Sequence, residues 1–340
     1  MIRILLVSIL ACSLGCARTA PRVVLYCAQD KEFAKEILAD FDKSAKIEVA
    51  VKYDTEANKS VSLYEEIARE GSRPRCDVFW NNEIVNTIRL ERLGLLEPFD
   101  FEHRDSYPDW TRPESKCWQA FAARARILIV NTDKVKMAEF PQSILDLADP
   151  KWKGRIAMAK PMFGSTATHA ACLFEAIGED RAKQFFTDLK KNDVAILAGN
   201  KQVAERVAAG DFALGLTDSD DAIEEYDQKR PVKLHFLDQN AHLQYPKLGT
   251  LLIPNTVSVM KNRPDPEQAK ALVNELLNPQ TEDRLARKGG FQIPLQKNSQ
   301  VKLHETLTEI RTVRRMDVRF EKAADRWEDV QKFLRDIFAR

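Results

Sequence analysis

Five short polar segments in this chain stand directly after apolar, strand-like runs. They are Gln29-Asp30, Asn81-Asn82-Glu83, Gly164-Ser165-Thr166, Asn200, and Thr217-Asp218-Ser219-Asp220-Asp221. In open α/β sheets the binding crevice lies beyond the carboxyl ends of the strands, so these segments converge if the runs share sheets. Two kinds of chemistry are open to them. Asp30, Glu83, Asp218 and Asp220 could make an all-oxygen site for a hard cation, since carboxylates suit hard metals. Gly164-Ser165-Thr166 starts a helix whose exposed N–H groups and dipole favour an anion. Asn82, Asn200, Thr217 and Ser219 add polar groups to the same expected crevice, and Arg124 or Arg126 could meet an anionic ligand bidentately.

Each segment also has a purely structural reading. Asp30 and Asn200 could be helix N-caps, worth roughly 0.5–2 kcal/mol each. Thr217 to Asp221 could cap a helix at 222–227, the arginines could pair with surface carboxylates, and Trp80 could be strand packing rather than a stacking platform. Convergence of all five segments is what favours a site.

Catalytic patterns are sparse. The chain has no Gly-x-Ser-x-Gly elbow and no His-Glu-x-x-His helix. Its five histidines are scattered. Ser165 and His169 stand four apart on one expected helix, yet a nucleophile needs a base oriented by a third group, and none is evident. No glycine-rich phosphate loop follows the first strand. A hydrolase is therefore the distant alternative to a non-enzymatic binding protein, and no cofactor is expected.

Segments 22–94 and 125–288 supply the elements that must position these residues. Val23 to Cys27, Ile47 to Tyr53 and Asp77 to Trp80 read as strands. Between and after them, helices are expected from Lys31, from Leu63 to Gly71, and from Ile84 to Leu93. That βαβαβα order predicts a parallel sheet covered on both faces. A second set follows: strands at Ile127 to Val130, Ile156 to Met158, Val194 to Leu197 and Phe212 to Leu216, with helices at 143–147, 165–177, 180–191 and 203–209. Further strands are expected at 250–253 and 257–259, then helices at 266–277 and 281–288. Crossovers near 125 and 250 divide the chain into one lobe of 22–125 plus 250–300 and another of 126–249 plus 301–340.

The first sixteen residues stand apart. A basic start at Arg3, an apolar run from Ile4 to Leu14 and then Gly15-Cys16 outline a secretory signal too short to span a bilayer. Cys16 is the expected lipidation point, with Cys12 as the other cysteine in reach. Residues 1–16 are thus expected to be a lipoprotein-type signal peptide, placing the protein in the periplasm or on the extracytoplasmic face, anchored by lipid. With 30% charged and 44% hydrophobic residues the chain as a whole has the composition of a globular protein. A net charge of +1 without a basic stripe argues against nucleic acid as a partner. Cys27, Cys76, Cys117 and Cys172 are spaced neither as a disulfide framework nor as a zinc site, so pairing stays open.

Several longer stretches carry a resemblance. They are Val24-Leu25-Tyr26 with Lys31-Glu32, Ile67 to Pro74 followed by Cys76 to Trp80, Leu93 to Pro98, Asp149-Pro150-Lys151-Trp152-Lys153-Gly154-Arg155-Ile156, and Val207 to Leu214. Through these the chain resembles the ferric-iron-binding proteins among the bacterial extracellular solute-binding proteins. The resemblance implies a two-lobed type II periplasmic-binding fold, each lobe a central, mostly parallel sheet flanked by helices. It also implies a monomer that closes on cargo and delivers it to an ABC permease and its ATPase in the cytoplasmic membrane. Many members bind iron through two adjacent tyrosines. Here those positions look like Asp218 and Ser219, and the sequence has no Tyr-Tyr pair. The family's histidine looks like Asp30, and its glutamate falls on Asn82 with Glu83 next door. Gly164, Ser165 and Asn200 match positions that hold a small anion. Ferric iron with a synergistic anion is the cargo that the resemblance implies, held by Asp30, Glu83, Asp218 and Asp220. A metal-free organic anion (phosphate ester, phosphonate or carboxylate) is the alternative that the local residues favour.

Overall fold

The computed structural model describes residues 21–29, 31–54, 61–263, 265–287 and 289–338. Cys16 and Asp30, expected as lipidation point and ligand, lie outside the described residues.

Ten strands form two sheets joined through one shared strand. In the first, β1 (Arg22–Cys27) pairs in parallel with β2 (Glu48–Tyr53) and with β3 (Val78–Asn81). Helices α1 (Lys31–Ala45), α2 (Val61–Glu70) and α3 (Val85–Arg92) connect and follow these strands, after which β4 (Leu96–Glu97) forms. Strand β5 (Trp118–Asn131) is the shared one. The second sheet adds β6 (Ile156–Ala159), β7 (Ala195–Leu197), β8 (Leu214–Asp218) and β9 (Val232–His235), with helices α4 (Gly164–Ile177), α5 (Glu179–Lys191), α6 (Asn200–Ala208) and α7 (Ser219–Asp227). Strand β10 (Leu252–Met260) then returns to the first sheet, followed by α8 (Pro266–Leu276) and α9 (Pro279–Leu285). The strand order is β2-β1-β3-β10-β5-β8-β6-β7, with β4 on β10 and β9 on β5. Each sheet is parallel within its βα units, and β5 and β10 enter antiparallel to their neighbours.

β5 is far longer than the expected 127–130. All fourteen of its residues are buried, because it runs through both sheets and is covered on both faces. Its partners change at one step: Ala125 faces Leu252 of β10, and Arg126 faces Asp218 of β8. The two strands expected at 250–253 and 257–259 are one. Pro254, which has no N–H for a ladder, sits where the β10–β5 register shifts. The extra residue is Ala122, at φ 37°. Its N–H donates to the Glu282 carboxylate at 2.5 Å, and its carbonyl accepts from Asn255 Nδ2 at 2.5 Å. Glu282 also accepts from the N–H groups of Leu295 and Gln296, each at 3.0 Å. Burial pushes its carboxyl up to about 7 against those three donors.

The second crossover, 248–251, lies against the C-terminal segment. Thr250 N–H donates to Arg314 O and Met316 N–H to Thr250 O. Gly249 is required there, since a Cβ would come within 2.5 Å of the Arg315 backbone. The chain ends in α10 (Phe320–Asp325) and α11 (Trp327–Phe338). Trp327, Val330, Leu334 and Phe338 fall on one face of α11 and are buried, each worth roughly 1.5–3 kcal/mol. α10 touches both α3 and α4, so the C-terminus braces the two halves. The four cysteines left open by the sequence are all buried and free.

Glu282→Ala would leave three buried N–H groups at the bulge without an acceptor. We expect a loss of about 3 kcal/mol or more in chemical denaturation. A change below ~1 kcal/mol would mean water replaces the carboxylate easily.

Candidate functional site

The carboxyl ends of β6, β7 and β8 bring most of the expected residues together around one ion pair. Because Arg126 stands opposite Asp218 in the β5–β8 ladder, its Nη1 reaches Asp218 Oδ1 at 2.7 Å. Both residues are about 95% buried or more. The other oxygen, Oδ2, accepts from Ser165 Oγ at 2.5 Å and from Asn200 Nδ2 at 3.1 Å. Asn200 Oδ1 in turn accepts from Arg126 Nη1 and from Thr166 Oγ1, each at 3.1 Å. Thr217 Oγ1 donates to the Asn200 carbonyl at 2.9 Å. Burial raises the Asp218 carboxyl, but the Arg126 and Arg124 charges and the Ser165 bond more than offset it, holding it below the usual carboxylate range.

Arg124 forms the second layer. Its Nε lies 3.9 Å from both Asp218 and Asp220, and its guanidinium donates to the Asn82 carbonyl at the end of β3. Two side chains separated by one strand residue therefore reach the same acidic cluster.

A pocket of about 60 Å³ opens in front of this network. Asn82 and Arg124 line it from one side; Lys160, Phe163, Gly164, Ser165, Asn200, Asp218, Asp220 and Asp221 line the other. That space holds a few waters, an ion or one phosphate-sized group, since a single water needs about 10–15 Å³ of it. α4 begins at the pocket wall with no side-chain cap, so the N–H groups of its first turn face no capping oxygen. Among the described residues, the Lys160 ammonium has no hydrogen-bond or ion-pair partner, although its backbone N–H donates to the Leu197 carbonyl. Lys160 was missed in the sequence although it is the first residue past β6, where the strand-end rule applies directly.

Some expected residues do other work. Glu83 does not join the acidic cluster. Its carboxylate accepts from the N–H groups of Val85 and Asn86, from Asn81 Nδ2 and from Thr168 Oγ1, so it caps α3 instead of facing the pocket. Ser219 Oγ accepts from Ala125 N–H at 3.1 Å and is fully buried, and Thr166 and Thr217 stand behind Asn200. Arg126 likewise sits behind Asp218 rather than at the pocket wall.

The metal set consequently changes. Asp218, Asp220 and Asp221 bring carboxylate oxygens within 4.8 Å of one another, and Glu83 is not among them. Two guanidiniums already balance two of these three carboxylates, and both Asp218 oxygens accept internal bonds, which leaves the set less suited to a ferric ion than three free carboxylates. No tyrosine lines the pocket. Ser165 and His169 form no nucleophile–base pair either. The Ser165 hydroxyl donates to Asp218, while His169 Nδ1 accepts from Arg126 Nε at 3.5 Å. Burial, aided by Arg126, lowers His169 to about 3, which leaves it a poor base at neutral pH.

A larger cavity of about 660 Å³ lies apart from this cleft, between residues 109–118 and 315–321. Its lining mixes arginines and carboxylates, as in the Arg112 pair with Asp109.

A family model described as bacterial extracellular solute-binding protein matches residues 87–318. The chain is 29% identical over 194 residues to the Fe(3+)-binding periplasmic protein of Serratia marcescens, a match covering 57% of this chain and 56% of that one. It is 27% identical over 274 residues to iron uptake protein A1 of a Synechocystis species, covering 77% and 73%. The match thus spans little more than half the length of the first of these relatives. Iron-bound HitA from Pseudomonas aeruginosa shares the fold at a TM-score of 0.80 and 21% identity, covering 94% of this chain and 99% of that one. AfuA from Actinobacillus pleuropneumoniae, with fructose-6-phosphate bound, does so at 0.79 and 21%, covering 94% and 99%.

Breaking the ion pair from one side tests its part in the fold. Arg126→Met should cost about 3–5 kcal/mol at neutral pH, because it leaves Asp218 buried with a weaker counter-charge. In the parent, the depressed Asp218 value contributes stability that is complete above about pH 4 and lost as pH falls through the folded value. In Arg126→Met the carboxyl retains its proton to higher pH, so the deficit shrinks on acidification from pH 7 toward pH 4. Adding Asp218→Asn should recover part of the loss. Denaturation at several pH values reads all three, and a pH-independent deficit would refute the assignment.

Proposed function

Because this chain belongs to the bacterial extracellular solute-binding protein family, we propose that it is the binding component of an ABC importer, without catalytic activity of its own. Its lobes, 22–125 plus 250–300 and 126–249 plus 301–340, close on a small solute outside the cytoplasmic membrane. The closed form then docks on a permease served by an ATPase. Signal-peptide cleavage before Cys16 and lipidation of that cysteine would keep it at the membrane as an anchored monomer.

For the cargo, the site favours a small organic anion bearing a phosphoryl or carboxylate group, with hydroxyl or amino groups beside it. The observation that carries this reading is charge placement. Arg124 and Arg126 are committed to Asp218 and Asp220, whereas Lys160 and the uncapped start of α4 offer positive charge with no internal partner. An anion at Gly164 and Ser165 would meet oriented N–H groups and one ammonium. Asp220 and Asp221 at the rim could accept from hydroxyl groups or an amine. The fructose-6-phosphate bound in AfuA has this chemical make-up. Closure on such a ligand would shift a hinge equilibrium through contacts from both walls of the cleft.

Ferric iron with a synergistic anion is the second reading. It is favoured by what the relatives are named for and by the three carboxylates Asp218, Asp220 and Asp221. On that reading iron must displace Arg124 from the cluster.

Titration calorimetry with fructose 6-phosphate and with fructose, beside elemental analysis after ferric citrate loading, separates the two. We expect binding that requires the phosphate, and Lys160→Ala should weaken it about tenfold or more, the usual cost of losing a charged partner. Stoichiometric iron that survives gel filtration, with no phosphate-dependent binding, would place the cargo with iron instead.

A further inference from the structure

Glu83 lies outside the pocket and is only 1% exposed. Three of its four hydrogen bonds come from its own neighbourhood at the end of β3 and the start of α3: Val85 N–H at 2.8 Å, Asn86 N–H at 3.0 Å and Asn81 Nδ2 at 3.2 Å. The fourth comes from Thr168 Oγ1 at 2.7 Å, 85 residues away on α4. Thr168 is fully buried and sits one turn beyond Ser165 on the helix whose first turn lines the pocket. The bond therefore joins the first sheet's side of the cleft to the element that would hold the anion.

We infer that the Glu83–Thr168 bond is an interlobe latch that sets cargo affinity without touching cargo. Neither partner is stranded when the cleft opens. Glu83 keeps its three local donors and exchanges Thr168 for water, and the Thr168 hydroxyl can turn to the carbonyl four residues back, as mid-helix threonines do. On the lobe-closure reading, an opening that separates α4 from the end of β3 breaks this bond, and its strength then enters the ratio of closed to open molecules. A buried hydrogen bond to a carboxylate is strong enough to change that ratio about tenfold. Glu83 and Thr168 are then affinity-setting residues one layer removed from the ligand. The inference rests on the lobe-closure reading but not on the identity of the cargo.

Thr168→Val removes the hydroxyl and keeps the shape; Thr168→Ser restores the hydroxyl. Small-angle scattering of the unliganded protein should show Thr168→Val more expanded than the parent, with Thr168→Ser close to the parent. With fructose 6-phosphate as probe, Thr168→Val should bind about tenfold more weakly, mostly through faster release, and Thr168→Ser should recover most of the affinity. Unliganded dimensions that match across parent, Val and Ser variants would overturn the latch. So would failure of both Thr168→Val and Thr168→Ala to fold, since the bond would then be part of the core. Absence of fructose 6-phosphate binding in the parent would count against the cargo reading alone, because the scattering comparison uses no ligand.

Discussion

Everything at the cleft depends on keeping one carboxylate charged inside the protein. Asp218 ends β8 at nearly full burial, where desolvation alone would protonate it. It stays ionised because the neighbouring strand supplies Arg126 directly opposite and Arg124 two residues earlier. Ser165 and Asn200 take the remaining acceptor capacity, and those bonds fix the starts of α4 and α6 relative to β8. A half-satisfied buried network is worse than an apolar one, so the positions of three elements are tied to a single side chain. The polar floor of the pocket is a consequence of that tie.

The βα units were legible in the sequence because their apolar runs and helix faces follow simple periods. Val23 to Cys27 and Ile156 to Met158 read as strands and are strands. The crossover strands were harder. In β5, Gln119, Arg124 and Arg126 interrupt the apolar run, and their burial is explained only by partners 90 or so residues away or on other segments. In β10, Pro254 lies between the two strand-like runs, and the ladder absorbs it as a register shift opposite Ala122. Strand-end reasoning located Asn82, Gly164, Ser165, Asn200, Asp218 and Asp220 at one pocket, because topology alone brings strand ends together. It could not tell which side chains face the pocket and which stand behind it. Glu83, Thr217 and Ser219 have the right chemistry at the right strand ends, and backbone donors or acceptors claim them, for Ser219 from 94 residues away.

Membership in the solute-binding family carries the fold further than it carries the site. The residue just past β8 and the residue ending it set what charge the cleft presents. With Asp218 and Ser219 there, two guanidiniums balance two of the three clustered carboxylates before any cargo enters. A trivalent cation gains most from carboxylates that lack internal counter-charges, and here it would have to compete with fixed arginines in a desolvated site. An anion faces the opposite balance, because the uncapped first turn of α4 and Lys160 are positive features on the same wall.

Where the molecule can bend is limited by the same strands that build the site. On one side of the crossover, the Ala122 bulge is held by Glu282 and Asn255, and Ala123 exchanges hydrogen bonds with Ile293. On the other side, Arg126 is locked to Asp218. Only Arg124 and Ala125 lie between those clamps. The return crossover is pinned at Thr250 by Arg314 and Met316, leaving little slack beyond Leu251, whose carbonyl accepts from Arg126 N–H. On the closure reading, rotation of one lobe against the other is then concentrated next to Arg124. That residue reaches the acidic cluster with its Nε and the Asn82 carbonyl with its Nη2. On the same reading, a side chain at the pivot that contacts both walls of the cleft would couple the charge state of the pocket to the angle of the hinge.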